Sequence, residues 1–344
     1  MNHHILKEDV RLFAEHFELW EQLRGKSFLV TGATGLIGSV LIKCLLELNR
    51  LRGLGLKVVA VIRDEEKARR VFGEGSSQME FRQIPLENIR QDTINADVDF
   101  IVHLASPTAS KYFVEHPVET LTTAVGGTEA VLEYAKSENV EAMVYASSLE
   151  VYGSNHTDEW IGEEFQGYVN PTEVRSSYNI GKRACECLCH SYAEEYGVNV
   201  SIARMTQTFG AGVKYNDNRV FAQFSRKAIE NEDIELHTSG DTCRMYCYTT
   251  DAVSAMLYLL IKGEKGEAYN IANKESYISI RDMARLVRDE FNPNIRVVVS
   301  LKENQGYAPE TKLKLDTAKI ESLGWQPKVD LKNMFGRLID SLKS

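Results

Sequence analysis

The sequence predicts a doubly wound α/β fold, a parallel sheet with helices on both faces, carrying a smaller α+β lobe at its C-terminal end. Three observations carry the prediction. Apolar, β-branched runs alternate with helical stretches through the first 208 residues, which is the rhythm of a parallel sheet. Runs such as VVAVI at 58–62 and FIVHLA at 100–105 are continuous rather than alternating, as strands covered on both faces require. Beyond Phe209 the rhythm gives way to a polar loop (GAGVKYNDN), a helix and a short strand (IELHT).

Residues 1–24 form an N-terminal extension in which Val10, Phe13, Phe17 and Trp20 recur at helical spacing, so it reads as a helix lying on the main body. Strands are expected at 27–31, 57–62, 79–84, 98–105, 142–147 and 199–205, with crossover helices at 38–50, 65–72, 117–137 and 177–196. Residues 25–208 thus make the sheet domain, with a later return near 245–275 that rejoins the sheet at 268–272. Residues 209–344 make most of the second lobe, beginning with a helix at 219–230.

The composition narrows the function classes. The chain has 344 residues, 43% hydrophobic and 26% charged, an ordinary globular balance. With 40 basic against 49 acidic residues the net charge is −9, and no basic stripe suited to nucleic acid stands out. The longest apolar run, 255–261, is far short of the roughly 20 residues a membrane span needs. The N-terminus shows neither the charged nor the apolar region of a secretory signal, so a cytoplasmic protein is expected. Its six cysteines are then expected as thiols. Cys185, Cys187, Cys189 and His190 resemble a metal cluster, but on a helix Cys187 faces away from Cys185 and Cys189, and no metal site is expected.

The first strand runs straight into Gly32-Ala-Thr34-Gly35-Leu36-Ile37-Gly38 and a helix. In that context Gly32 allows a tight turn, Gly35 lets a pyrophosphate approach the backbone, and Gly38 lets helix and strand pack, leaving the helix N-terminus facing the anion. The second strand ends in Arg63, with Asp64 next and Lys67 one turn on. An acidic residue there would bind free ribose hydroxyls and an arginine a 2′-phosphate, so NADP is slightly favoured over NAD. Tyr178 and Lys182 stand at i, i+4 on a helix, on one face, where the ammonium is expected to lower the phenol toward the range of a general base.

With these pieces in place the chain resembles the extended short-chain dehydrogenase/reductase family, the epimerases, dehydratases and decarboxylases of nucleotide sugars, over nearly its whole length. The matching segments are TGATGLIG (31–38), HLAS (103–106), SSLEVYG (147–153), YNIGK (178–182), RMTQTFG (204–210), RMYCYTTDAV (244–253) and LGWQP (323–327), in the family's order. HLAS followed by Pro107, GYVNPTEVRSSYNIGKR and NDNRVFAQF look most like UDP-glucuronate decarboxylases, with 4,6-dehydratases next. The resemblance implies a Rossmann fold and a tightly bound NAD(P), with Leu104, Ala105 and Ser106 beside it. It also implies transient oxidation of the sugar, usually at C4. Tyr178 would take the hydroxyl proton with Lys182 as its activator, and decarboxylation or dehydration would follow. Ser148 and Glu150 match the family's Thr-x-Glu, a hydroxyl partner and a second proton-transfer group. Gln207, Arg219 and Arg244 fall at positions that meet the nucleotide-sugar substrate. A homodimer paired through the helices at 117–137 and 177–196 is implied as well.

The sequence also departs from the family. Leu149 stands where dTDP-glucose dehydratases have Asp and where decarboxylases and GDP-mannose dehydratases usually have Ser, Ala124 where a helix Asn is usual, and Pro85 where an Asp near the adenine is usual. Only Lys312 or Lys314 answers to a C-terminal Arg. Epimerisation, an NADP-dependent carbonyl reductase, and a cofactor-binding sensor without chemistry are the competing readings.

Overall fold

The computed structural model describes residues 4–107, 110–301 and 310–343. Its strands are β1 (Ser27–Thr31), β2 (Lys57–Ile62), β3 (Met79–Gln83), β4 (Phe100–His103), β5 (Ala142–Ser148), β6 (Trp160–Ile161), β7 (Val200–Met205), β8 (Gln207–Phe209), β9 (Ile234–Leu236), β10 (Cys243–Tyr248), β11 (Ala268–Ile271), β12 (Asn273–Ser279), β13 (Val297–Val299) and β14 (Lys314–Leu315). Its α-helices are α1 (His4–His16), α2 (Leu36–Arg52), α3 (Glu65–Phe72), α4 (Gln91–Ile94), α5 (Ser110–Glu115), α6 (Pro117–Ser137), α7 (Ser176–Tyr196), α8 (Val220–Glu230), α9 (Thr249–Lys262), α10 (Ile280–Phe291), α11 (Ala318–Ser322) and α12 (Leu331–Leu342).

Seven parallel strands form the central sheet in the order β11-β7-β5-β4-β1-β2-β3. The strand order reverses between β1 and β4, the place where open α/β sheets bind ligands beyond the strand C-termini. Successive residues of a strand face opposite sides, and here both sides are apolar. Phe28 and Val30 enter the core under α2 and α9, while Leu29 enters the one under α6 and α7. The continuous apolar runs follow from that double burial. Gly53 and Gly197 end α2 and α7 in the left-handed conformation that glycine adopts without strain.

The chain leaves the central sheet after Met205 and returns once, as edge strand β11 beside β7. It does not stop pairing at 205. β8 joins β10 and β12 in a three-stranded sheet that the sequence reading did not anticipate, because it lies outside the β/α alternation and mixes parallel with antiparallel pairing. A third core, around Phe209, Phe221, Tyr246, Tyr248 and Phe335, holds this lobe together. The N-terminal helix ends at His16, so Phe17 and Trp20 lie beyond it. Phe17 is buried all the same and stacks on Phe13 at 5.2 Å. Buried Asp9 of α1 accepts from Tyr248 Oη at 2.6 Å and from Arg337 of α12, which ties the extension to the second lobe. Among the described residues no helix is long and apolar enough to cross a membrane.

Candidate active site

The glycine loop follows β1 and is shaped by close backbone contacts. Gly32 has φ +65°, and a Cβ there would sit 2.8 Å from the Leu104 carbonyl carbon. A Cβ on Gly38 would be driven into the Gly32 carbonyl and would lie 3.1 Å from Ala33 Cα. Gly35 caps α2 with no side-chain bond to its first N–H groups, so these orphan donors and the helix dipole face outward from Thr34, Leu36 and Ile37. This is a cradle only glycines can line, and it fits the pyrophosphate of a dinucleotide.

A buried hydrogen-bond relay fixes the wall beside the cradle. Thr31 Oγ1 accepts from the N–H groups of Leu104 and Ala105, 3.2 Å each, and meets His103 Nδ1 at 2.7 Å. His103 Nε2 meets Thr128 Oγ1 at 3.2 Å. Thr128 donates to Cys185 Sγ at 3.3 Å, and Cys185 donates to the Ala124 carbonyl at 3.2 Å. Donors and acceptors alternate along this chain only if His103 is neutral with its proton on Nε2. Burial, with Lys182 nearby, agrees, holding its pKa down at about 3. Ala124 thus contributes its carbonyl where an Asn side chain was expected. Ser106 turns its hydroxyl to the Pro107 carbonyl at 3.2 Å. Cys185 and Cys189 are buried and Cys187 is exposed, the outward turn its helical spacing predicts.

Tyr178 stands in the first turn of α7, with Lys182 one turn on and Nζ 5.9 Å from the phenol ring centre. Lys182 is 4% exposed and donates to the Ala146 carbonyl at 2.7 Å. Burial lowers its pKa to about 8. The phenol departs from expectation, raised to about 12. Burial dominates, Glu150 adds to it, and only the hydrogen bond with Ser148 opposes it. Lys182 is engaged by the Ala146 carbonyl rather than by the phenol, and the expected lowering is not found.

Ser148, the last residue of β5, also accepts the Glu150 N–H at 3.2 Å. Asn179 donates to both the carbonyl (2.9 Å) and the carboxylate (3.2 Å) of Glu150, and Arg175 approaches at 3.5 Å. Leu149 turns the other way, 5% exposed, into a cluster with Tyr152, Ile161 and Met245. Its side chain is a core residue and leaves no acid at that position. Beneath the site, Glu186 accepts from Ser147 Oγ (2.5 Å) and from Arg204 (2.7 and 3.0 Å), binding α7 to β5 and β7.

The substrate candidates divide. Among the described residues Arg244 donates to the carbonyls of Cys243 and Thr311, 3.2 Å each, and it lies in the field of Glu150. Burial holds it below the usual guanidinium range. Among the described residues it has no carboxylate ion-pair partner. Arg219 is instead held by Asp217 at 2.7 Å and lies 4.7 Å from the Phe221 ring centre. Gln207 sits half-buried on β8 opposite Tyr246 of β10. Tyr246, Tyr248 and Phe221 are core residues, each under 2% exposed. Lys312 pairs with Asp158 at 2.8 Å, and Lys314 lies 4.6 Å from the Trp160 ring centre, so neither reproduces a free arginine fork. At the end of β2, Asp64 spends its carboxylate capping Lys67 N at 2.9 Å, while Arg63 is exposed. Pro85 starts a single helical turn at 86–88.

Sequence reasoning missed Phe113. Its ring stacks on Tyr178 with centres 4.2 Å apart and planes 9° from parallel, and it is 4% exposed. No motif marks it, since the contact joins α5 to α7 across more than 60 residues. Asn179, inside YNIGK, and the pair Glu186–Arg204 were visible in the sequence but not their roles.

Fold, switch-point cradle and the Tyr178–Lys182 pair together define a dinucleotide-binding oxidoreductase scaffold. The family model of the NAD dependent epimerase/dehydratase family matches residues 28–272, and the chain belongs to that family. It is 31% identical over 312 residues to UDP-glucuronic acid decarboxylase 5 of Arabidopsis thaliana, covering 88% of this chain and 85% of that one. Among solved structures, the UDP-glucose 4-epimerase of Thermotoga maritima, with UDP-glucose, superposes with TM-score 0.79 at 21% identity over 92% of this chain and 98% of that one. The UDP-glucuronic acid 4-epimerase of Bacillus cereus, in complex with UDP-glucuronic acid and NAD, gives TM-score 0.77 at 22% identity over 92% and 99%.

Proposed function

We propose that this chain is an NAD(P)-dependent enzyme that decarboxylates, or failing that dehydrates, the sugar of a nucleoside diphosphate sugar. The observation that carries the reading is the convergence at the C-terminal end of β5 of Tyr178, Ser148 and Glu150, with Lys182 buried behind the phenol. When bound, the dinucleotide supplies reversible hydride chemistry. The chain's own residues do the rest. Tyr178 takes the proton of a sugar hydroxyl, and Ser148 holds the phenol in place. Lys182, charged below about pH 8, stabilises the phenolate once substrate displaces it from the Ala146 carbonyl. Glu150, held by Asn179 and Arg175, handles the second proton. Arg244 offers a guanidinium whose described partners are carbonyls, suited to a sugar carboxylate or phosphate. Leu149 counts most against the reaction of dTDP-glucose dehydratases, which use an acid at that position, and the 31% identical relative carries a decarboxylase name, so decarboxylation of a uronic acid sugar stands first.

We infer further that the dinucleotide stays bound through turnover and that NADP is preferred, since Arg63 is exposed while Asp64 is committed to its helix cap. Two copies of the chain pair through α6 and α7, which pack on each other and leave Val118 (67%) and Tyr196 (47%) exposed. The deciding experiment is mass spectrometry of products from the protein incubated, without added cofactor, with UDP-glucuronate and a panel of UDP-, dTDP-, GDP- and CDP-sugars. Loss of CO2 supports decarboxylation and loss of water dehydration. An unchanged mass with a new retention time identifies an epimerase, and net NADPH consumption a reductase. No turnover of any substrate, with or without added NAD(P)H, overturns the reading.

A further inference from the structure

The buried face of α1 carries one charged residue where helical spacing calls for an apolar one. Leu6, Asp9, Val10 and Phe13 fall at i, i+3, i+4 and i+7, and all four are buried. The apolar members join the core under α2 and α9. The C-terminal end of the extension is fastened to α2 by Arg52, which donates to the Glu15 carbonyl at 3.0 Å and lies 4.7 Å from the Trp20 ring centre. For packing alone a leucine at position 9 would serve better, since a buried carboxylate is costly even when paired. The family match begins at residue 28, so α1 lies outside it.

Asp9 reaches the other lobe. Its carboxylate accepts from Tyr248 Oη at 2.6 Å and from Arg337. The same Tyr248 hydroxyl accepts the N–H of fully buried Ala211 at 3.4 Å. Ala211 is the middle of a turn, closed by the Val213 N–H on the Gly210 carbonyl at 3.3 Å, that touches both lobes. A Cβ on Gly210 would lie 2.7 Å from Tyr248 Cε2, and one on Gly212 (φ +103°) 3.4 Å from Leu36 Cδ1 and 3.8 Å from Leu6 Cδ2. Leu36 opens α2 directly after Gly35, so the turn rests on the helix start that borders the cradle. In the other direction the turn follows β8, which carries Gln207, and leads on to Arg219.

We propose that Asp9 is a positioning residue: acting through Tyr248, it holds the Gly210–Gly212 turn against α1 and the first turn of α2, and so fixes the second lobe relative to the glycine loop. The extension is then a strap between the lobes as well as a cover for the core. The hold itself rests on geometry, and its effect on substrate rests on the nucleotide-sugar reading given above.

Tyr248→Phe deletes the hydroxyl and keeps the ring, so it cuts the link from Asp9 to Ala211 while the core stays filled. Phe17→Leu instead thins the packing on Phe13 and Tyr258 at the other end of the extension and serves as the control for lost stability. Hydrogen exchange of the full chain, read by mass spectrometry on peptides covering 207–213, is expected to quicken about tenfold in Tyr248→Phe and in Asp9→Ala. Asp9→Asn, which keeps an acceptor for the tyrosine, and Phe17→Leu are expected to stay close to the wild-type rate. With the nucleotide sugar that the enzyme turns over, Tyr248→Phe is expected to raise KM about tenfold and leave kcat near wild type, whereas Phe17→Leu lowers the melting temperature without moving KM. Exchange at 207–213 that is unchanged in Tyr248→Phe or in Asp9→Ala, or that quickens equally in Phe17→Leu, overturns the proposal. Turnover of no nucleotide sugar overturns the functional reading, and the exchange rates alone then uphold or overturn the strap.

Discussion

The two halves of the site are built from different material. The half proposed to cradle phosphate is backbone: Gly32, Gly35 and Gly38 leave room where a Cβ would meet main chain, and the contacts there come from neighbours close in sequence or one strand away. The half proposed to meet the sugar is side chain. Tyr178, Ser148, Glu150, Phe113 and Arg244 come from α7, β5 and the turn after it, α5 and β10, and each depends on distant elements for its orientation. A backbone site tolerates almost no substitution at its glycines and admits one ligand chemistry. A side-chain site can change its residues and its reaction while the fold stays put.

The largest effect should come from the sugar half. Tyr178→Phe should lower turnover by roughly 10²- to 10⁴-fold, the contribution of a positioned general base. Its unfolding midpoint and dinucleotide affinity should stay near wild type. Turnover within threefold of wild type would remove the phenol from the chemistry and break the division of labour.

This contrast also explains what the sequence disclosed. The central strands and the helices α3, α6 and α7 were legible within one or two residues, because double burial writes continuous apolar runs and because Pro117, Gly53 and Gly197 mark helix ends. The cradle was legible for the same reason, being local. The sheet of β8, β10 and β12 was not, since it lies outside the β/α alternation, β10 pairs parallel with β8 and antiparallel with β12, and the register shifts between Arg244 and Tyr246. Nor could the sequence tell that Leu149 faces a core and that Arg219 is already paired with Asp217. Ion pairs compete with ligands for the same guanidinium, and only geometry shows which wins. The state of Tyr178 was misjudged on the same ground. Spacing places Lys182 on the right face but does not reveal that the Ala146 carbonyl holds its ammonium.

The backbone half can be challenged with a matched pair of substitutions. Gly38→Ala forces a methyl into the Gly32 carbonyl and should cost about 1–3 kcal/mol and weaken dinucleotide binding. Gly126→Ala, inside α6 with open space around its added methyl, should instead stabilise by about 0.5–1 kcal/mol and leave binding alone. Urea unfolding and dinucleotide titration measure both. Equal effects at the two sites would mean that the cradle is no more constrained than an ordinary helix turn.

His103 joins the halves, and its titration gives a smaller effect of known sign. Its folded pKa of about 3 lies below the usual value near 6.5, so the unfolded chain binds the extra proton first. The stability it contributes is complete above about pH 6.5 and is lost as pH falls from there toward 3. The loss between pH 7 and pH 5 is about 2 kcal/mol. Asp251, raised by burial to about 6, works in the opposite direction over part of that range, so the quantity to compare is the difference between wild type and His103→Gln. Urea unfolding at the two pH values should show the variant less acid-sensitive by about that amount. Equal acid sensitivity would mean that His103 is not buried neutral between Thr31 and Thr128.

Phe113 offers the finest test, because it belongs to the sugar half by geometry alone. Its ring covers one face of the Tyr178 phenol, keeps water from it and so favours the neutral form over the phenolate. Phe113→Ala opens that face. The phenol of the free enzyme should then titrate lower, moving from about 12 back toward 10 by roughly one unit, the size of a stacked aromatic contact. Ultraviolet titration of wild type and Phe113→Ala, each minus the same background carrying Tyr178→Phe, isolates this one phenol among fifteen tyrosines. If the shift appears while turnover falls, the stacked ring orients the phenol for substrate even though it opposes its ionisation. If turnover rises with the shift, Phe113 acts only as a brake on the free enzyme. An unmoved titration would mean that the sugar half is defined by its motif residues alone, and the contrast with the backbone half would be narrower than the geometry draws it.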